Sequence, residues 1–135
     1  LQTLINSTQF SDRIKLMGAT NNVPEVLSKA DIFVLSSDYE GMPNALMEAM
    51  AVGVPCISTD CPCGGPRMLL GSQKNKVLVP VNDEKKMKDA INWLIIDNEN
   101  KKIIENECKN QAEKFKPNYI FRCWKRYIKS VLDNF

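Results

Sequence analysis

Two apolar runs of strand length, DIFVLSS (Asp31–Ser37) and PCIST (Pro55–Thr59), flank a helical segment that starts near Pro43 and stops at Gly53. This arrangement restricts the fold more than any other feature of the chain. Neither run alternates with polar residues as a half-exposed strand would, so each reads as a strand of a sheet covered on both faces. A strand, a helix and a second strand in one short stretch form a βαβ unit. Such a unit makes its strands parallel and its crossover right-handed.

The same alternation extends in both directions. LQTLINST (Leu1–Thr8) reads as the end of a helix. RIKLMG (Arg13–Gly18) alternates and stops at glycine, which predicts a short strand. NVPEVLSKA (Asn22–Ala30) predicts a short helix with Pro24 near its first turn. DCPCGGPR (Asp60–Arg67) reads as a loop by its glycines and prolines, and KVLVPV (Lys76–Val81) as a further strand. Beyond Val81 the pattern is helical. Asn82 or Asp83 caps a helix whose apolar stripe is Met87, Ala90, Ile91, Leu94 and Ile95. A polar helix follows, roughly Glu99 to Phe115. A last helix runs from Pro117 to Phe135, with Ile120, Trp124, Tyr127, Ile128, Val131 and Leu132 on one side. The predicted class is therefore α/β: a Rossmann-like parallel sheet with flanking helices and a helical C-terminal tail. Ligands of such sheets sit beyond the carboxyl ends of the strands. Here that places them at Gly18–Asn22, Ser36–Met42 and Asp60–Arg67.

Composition removes several classes of function. A chain of 135 residues suits one domain, and a net charge of +2 does not suggest a nucleic-acid partner. The five cysteines are odd in number and follow no small-scaffold spacing, which predicts free thiols in a reducing, cytoplasmic compartment. Cys56, Cys61 and Cys63 would need a fourth ligand to hold zinc. The chain has no histidine and none is nearby, so no metal is expected. Without histidine the commonest general base is also missing. No apolar stretch reaches the length of a transmembrane helix, and no secretory signal pattern is present. The chain begins at Leu1, as though already inside an element, which reads as a fragment of a longer protein.

The loop and helix after Ser36 carry the densest chemistry. Glu40 and Glu48 have seven residues between them, and Gly41 and Pro43 lie just after the first. Proline suits the first position of a helix, where no amide hydrogen is needed. Glycine permits a tight turn and close approach of a ligand. The amides of Asn44, Ala45 and Leu46 then point out of the helix end and, with the helix dipole, suit a phosphate. Asn44 and Glu48 are four apart and share a helix face. Glu48 lies roughly 7 Å along the axis from the helix start. A phosphate at the helix end would thus meet one carboxylate on either side, each able to accept hydrogen bonds from a vicinal diol.

The segment EGMPNALMEAMAVGVPCISTD (Glu40–Asp60) resembles the E-x7-E region of retaining glycosyltransferases of family 4, which have the GT-B fold. Upstream, RIKLMGATNNVPEVLSKADIFVLSS resembles the same family's strand, glycine, short helix and Ala-Asp strand. Downstream, CPCGGPRMLL resembles the Gly-Gly-Pro-Arg loop of members that build capsule, O-antigen and related polysaccharides. The resemblance is strong from Arg13 to Val81. It implies that Glu40 contacts donor-sugar hydroxyls as the key active-site acid. It implies that backbone amides of Gly41, Met42, Pro43, Asn44, Ala45 and Leu46 (all but the proline having one) line the sugar and diphosphate. Glu48 would bind the ribose, and Met17, Gly18 and Ala19 would lie against the base. Transfer would retain anomeric configuration without a metal or other cofactor, by front-face displacement with the leaving phosphate assisting the acceptor. The position after Gly-Gly-Pro-Arg is often Glu in relatives and is Met68 here.

The resemblance further implies a nucleotide-sugar donor, UDP-linked and carrying a hexosyl or N-acetylhexosaminyl group, and a polysaccharide or lipid-linked acceptor. It implies an N-terminal acceptor-binding domain of the same protein, and two earlier strands of the present domain with a basic pair for the diphosphate. Without those strands, the strand at Arg13–Met17 has lost its usual neighbour. The fragment alone is expected to be inactive. A non-catalytic nucleotide-sugar-binding or partner-binding module stays open as the alternative. The tail from Lys101 to Lys129 has nine Lys/Arg and three Glu with aromatic residues interleaved. The expectation is an apolar stripe docked on the domain. The alternatives are a helix crossing to the other domain and peripheral contact with an acidic membrane surface.

Overall fold

In the computed structural model, residues 1–71 and 74–133 are described. Three short parallel strands, β1 (Phe33–Leu35), β2 (Cys56–Thr59) and β3 (Leu78–Val79), form one sheet in the order β1-β2-β3. Phe33 pairs with Cys56 and Leu35 with Ser58, while Ser58 and Thr59 pair with Leu78 and Val79. The helices are α1 (Gln2–Asn6), α2 (Val23–Ser28), α3 (Asn44–Val52), α4 (Gly65–Leu69), α5 (Lys74–Val77), α6 (Glu84–Ile96), α7 (Asn98–Glu113) and α8 (Pro117–Leu132). The predicted end of the last helix at Phe135 lies outside the described residues.

The core sits where α3, α6 and α7 meet the sheet. Every residue of β2 is buried, as its apolar run predicts. Leu46 and Met50 of α3, Leu94 of α6 and Ile104 of α7 are almost fully enclosed, each contributing roughly 1.5–3 kcal/mol by leaving water. Cys56 of β2 and Cys108 of α7 meet in this core. The Cys108 partner, together with burial, holds the Cys56 thiol well above the usual thiol range. Gly53 closes α3 in the left-handed conformation at φ 90°, with its amide bonded to the Ala49 and Met50 carbonyls. Asn22 caps α2 through the Glu25 amide, Asp83 caps α6 through Lys86, and Asp97 starts α7 through Glu99.

Several expectations are corrected. Arg13–Gly18 is not a strand. Residues 14–20 are irregular and exposed, following a single 3-10 turn at Ser11–Arg13. A strand exists by pairing, and this segment is not paired into the three-stranded sheet. The sheet is covered on both faces at β2 but not at β1. Val34 is 38% exposed, and it borders an open cavity of about 640 Å³ with Ile32 and Ile95. Ile95 therefore leaves the predicted buried stripe of α6, whereas Ala90 and Leu94 hold it. The Asp60–Arg67 loop becomes helical from Gly65, because Pro66 occupies the first turn of α4, where proline is favoured. Of the strand expected over Lys76–Val81, only Leu78–Val79 pairs, after the helical turn α5. Finally, α8 is not docked on the domain. No residue of it is buried, and Trp124 is 60% exposed.

Candidate functional site

The loops after β1 and β2 leave the carboxyl edge of the sheet side by side. The first, residues 36–43, carries Glu40, and the second begins at Asp60. Thr59, the last residue of β2, donates its hydroxyl to the Ser37 carbonyl. The Cys61 thiol donates to the same oxygen at 3.2 Å. Ser37 in turn donates its own hydroxyl to Glu40 Oε1 at 2.8 Å. Glu40 itself is half-buried.

The second loop also touches the first through its backbone. Gly65 is buried, and a Cβ built on it would lie 1.6 Å from the Gly41 carbonyl oxygen. Only glycine admits that approach. Further out, the Cys63 thiol beside Tyr39 raises the phenol above its ordinary value. Asp60 holds Arg67 in a two-pronged ion pair across the loop, Nε to Oδ1 at 3.1 Å, and the carboxylate raises the guanidinium further.

Pro43 is the N-cap of α3 and not its first residue, one position earlier than its missing amide hydrogen suggested. Its carbonyl accepts the first intrahelical bond, from Met47. The amides of Asn44, Ala45 and Leu46 therefore precede the helical ladder, and no side chain caps them. Asn44, Ala45 and Glu48 are exposed on this helix, whereas Pro43 and Leu46 are buried against the domain. Gly41 and Met42 are exposed in the loop.

The residues of the predicted site fall on two parts of the chain. Glu40, the 41–46 segment and Glu48 flank one helix start. Glu48 faces a groove of about 610 Å³ between α3 and the end of α7, with Lys109, Glu113 and Phe115. Glu40 is not among its lining residues. Met17, Gly18 and Ala19 are in the exposed irregular segment, with Gly18 at φ 67°. The bonds that hold the Glu40 loop run to Thr59 and Cys61, not to this segment. A further cavity of about 540 Å³ opens beyond the strand ends, between Asp38 of the first loop and Thr59 of β2 on one side and Asn82, Asp83 and Lys88 at the start of α6 on the other. Sequence reasoning missed Ser37, Thr59, Cys61 and Gly65. The signal available was the placement of Ser37 and Thr59 at the carboxyl ends of adjacent apolar runs. Among the described residues, no cluster of three or more acidic or thiol side chains is arranged to hold a metal ion.

An open parallel α/β sheet with its loops gathered beyond the strand ends is the class to which GT-B glycosyltransferase domains belong, and the fold matches theirs. A structure of the pneumococcal O-GlcNAc transferase GtfA in complex with UDP and GlcNAc superposes with a TM-score of 0.74 at 23% identity, covering 97% of this chain and 27% of that one. The catalytic domain of cholesterol-α-glucosyltransferase from Helicobacter pylori superposes at 0.65 with 20% identity, covering 73% and 60%.

This chain belongs to the family of glycosyl transferases group 1, whose model matches residues 1–115. It is 28% identical over 128 residues to the Campylobacter jejuni N-acetylgalactosamine-N,N'-diacetylbacillosaminyl-diphospho-undecaprenol 4-alpha-N-acetylgalactosaminyltransferase, covering 95% of this chain and 35% of the relative. It is 34% identical over 101 residues to the Escherichia coli UDP-Gal:alpha-D-GlcNAc-diphosphoundecaprenol alpha-1,3-galactosyltransferase, covering 73% and 25%. The chain thus spans about a third or less of these curated relatives.

Proposed function

We propose that this chain is the donor-binding part of a retaining, metal-independent glycosyltransferase. It takes a hexosyl or N-acetylhexosaminyl group from a UDP-linked donor and passes it to a polysaccharide or lipid-linked acceptor. The observation that carries the reading is the helix start of α3: three uncapped amides with Glu40 before them and Glu48 on the exposed face after them. Uncapped amides and a helix dipole favour a diphosphate. A carboxylate on either side favours the two sugars that a nucleotide-sugar carries at its ends. Family membership and the relatives' named substrates support the same reading.

In this reading Glu40 holds hydroxyls of the transferred sugar, the 41–46 segment holds sugar and diphosphate, Glu48 holds the ribose, and Met17–Ala19 approach the base. The acceptor is presented by an N-terminal domain of the same protein, and catalysis needs both. We assign the exposed apolar stripe of α8 to contact with that domain, and its basic side to an acidic membrane surface on the cytoplasmic face, where a lipid-linked acceptor is met. Among the described residues no helix is long and apolar enough to cross a membrane.

The test is a donor screen on the full-length protein with UDP-hexoses and UDP-N-acetylhexosamines, alongside Glu40→Ala and Glu48→Ala. The expected result is turnover of one donor class, lost in Glu40→Ala and weakened in donor affinity in Glu48→Ala. Full turnover and affinity in both variants would overturn the site.

A further inference from the structure

Glu40 is placed by residues that lie outside its own loop. Ser37 stands two positions beyond the end of β1, where the sheet ladder no longer holds the chain. Its carbonyl is held there by two side chains of the neighbouring strand's exit, the Thr59 hydroxyl and the Cys61 thiol at 3.2 Å. A carbonyl oxygen has two lone pairs, and both are used. Thr59 and Cys61 are themselves buried, at 4% and 1% exposure. With its backbone fixed in this way, Ser37 aims its hydroxyl at Glu40 Oε1, 2.8 Å away.

The far side of the same loop is fixed by contact instead of hydrogen bonding. Around the site of a Cβ on Gly65 are the Gly41 oxygen at 1.6 Å, the Gly41 carbonyl carbon at 2.8 Å and Pro43 Cδ at 3.2 Å. Gly65 does not adopt a positive φ. What the position demands is space, not unusual backbone freedom. The peptide joining Glu40 to the start of α3 is therefore pressed against the start of α4. Ser37 occupies one carboxylate oxygen of Glu40 and leaves the other without a hydrogen bond from this loop.

We infer that Thr59 and Gly65 are positioning residues for Glu40, Thr59 acting through the Ser37 carbonyl and hydroxyl, and Gly65 through the Gly41 carbonyl. The inference rests on the reading of Glu40 as the residue that holds the donor sugar. Neither residue touches substrate. Their role is to keep the carboxylate within the narrow range of positions that transfer tolerates, where a displacement of about 1 Å costs on the order of a hundredfold in rate.

The experiment uses the full-length protein and a panel of UDP-glucose, UDP-galactose and their N-acetyl counterparts, with UDP as reference. Affinities are measured by calorimetry, and donor turnover by release of UDP. Thr59→Val keeps the shape of the side chain and removes its hydroxyl. Ser37→Ala removes the last link from a half-buried position, so it keeps the test open should Thr59→Val fail to fold. Each is expected to leave the Kd for UDP unchanged and to reduce the extra affinity contributed by the sugar by about tenfold. Each is also expected to lower kcat by roughly 10- to 100-fold. Thr59→Ser restores both. Thr59→Val combined with Ser37→Ala loses no more than the worse single variant, because the two act along one route. Gly65→Ala, measured well below its Tm, lowers kcat at least as far.

If Glu40→Gln abolishes the sugar's contribution while folded Thr59→Val and Ser37→Ala keep it and keep kcat, the positioning role is wrong and the site stands. If no donor in the panel binds, or Glu40→Gln changes nothing, the reading of the site falls and the positioning with it. A loss of UDP affinity equal to the loss of UDP-sugar affinity would mark general disruption of the domain, and would likewise overturn the inference.

Discussion

Lys101 reaches back across seventy residues of sequence to Asp31, Nζ to Oδ1 at 2.6 Å, and so ties the first turn of α7 to the turn that opens β1. The bond and charge of Lys101 hold the Asp31 carboxyl below its ordinary value. A carboxyl lowered in the folded state binds fewer protons there than in the unfolded chain. Its contribution to stability is therefore complete above the ordinary aspartate value of 3.8 and is lost as pH falls through the lowered one. The unpaired control is Asp31→Asn. Between about pH 5 and pH 2 the parent should lose more Tm than this variant does, and the two should converge at the acid end. Parallel curves would show that the pair does nothing for stability.

Glu48 is exposed on the face of α3 that it shares with Asn44, and truncating it leaves no hole. Glu48→Ala should therefore keep its Tm. If Glu48 holds two ribose hydroxyls, donor KM should rise roughly 10- to 100-fold. The kcat should stay within about threefold, the pattern of lost uniform binding. A 2'-deoxy donor should show the same penalty on the parent protein and a much smaller one on the variant.

The five thiols divide by burial: Cys63 and Cys123 are exposed, whereas Cys56, Cys61 and Cys108 are buried. An alkylating reagent applied to the folded protein should modify the first two and spare the other three until denaturant is added. Peptide mass mapping reads this directly. Rapid labelling of Cys61 would mean that the exit of β2 opens far more readily than its contacts with Ser37 suggest.

Adjacent isoleucines on α7 have opposite environments: Ile104 is 1% exposed in the core and Ile103 is 44% exposed. Ile104→Ala should cost about 2–5 kcal/mol in chemical denaturation. Ile103→Ala should cost less than about 1 kcal/mol. Similar costs at both sites would place α7 in a different rotation about its axis.

On α8 the basic residues Arg122, Lys125, Arg126 and Lys129 cluster on the side away from Ile120, Trp124 and Val131, as their spacing on a helix requires. If the basic side meets an acidic membrane, Lys125→Gln with Arg126→Gln should weaken binding to vesicles rich in anionic lipid by about 30-fold, at ~1 kcal/mol per charge. Neutral vesicles should not distinguish parent from variant. Equal binding of both proteins to anionic vesicles would remove the membrane from the reading of this helix.

How far the sequence could be read depended on how local the determining interactions are. The buried run Cys56–Thr59, the cap at Asp83 and the stop at Gly53 rest on a few neighbouring residues, and each was legible. The segment Arg13–Gly18 has the alternation of a strand, but alternation says nothing about whether a partner is present to pair with it. In the same way, the apolar stripe of α8 shows that a face is built to be covered, not what covers it. Proline and glycine were read as breakers at Gly65-Pro66, although proline belongs equally to a first helical turn. At the site, Glu40 and Glu48 could be singled out because acids beside a helix start carry a recognisable chemistry. Ser37, Thr59 and Gly65 could not, because their importance lies in contacts between two loops that are distant in sequence. The Thr59 to Ser37 bond spans twenty-two residues.

The close approach of Gly65 to Gly41 bears on any attempt to move the Glu40 loop of this chain into another scaffold. The segments 36–43 and 59–65 fit as one surface against another, and where Gly65 meets Gly41 no side chain stands between them to absorb a mismatch. Grafting the first into a foreign scaffold without the second would leave its carboxylate hanging on the wrong counterpart. The transferable cassette is the pair of loops, and a chimera should cut the chain outside both.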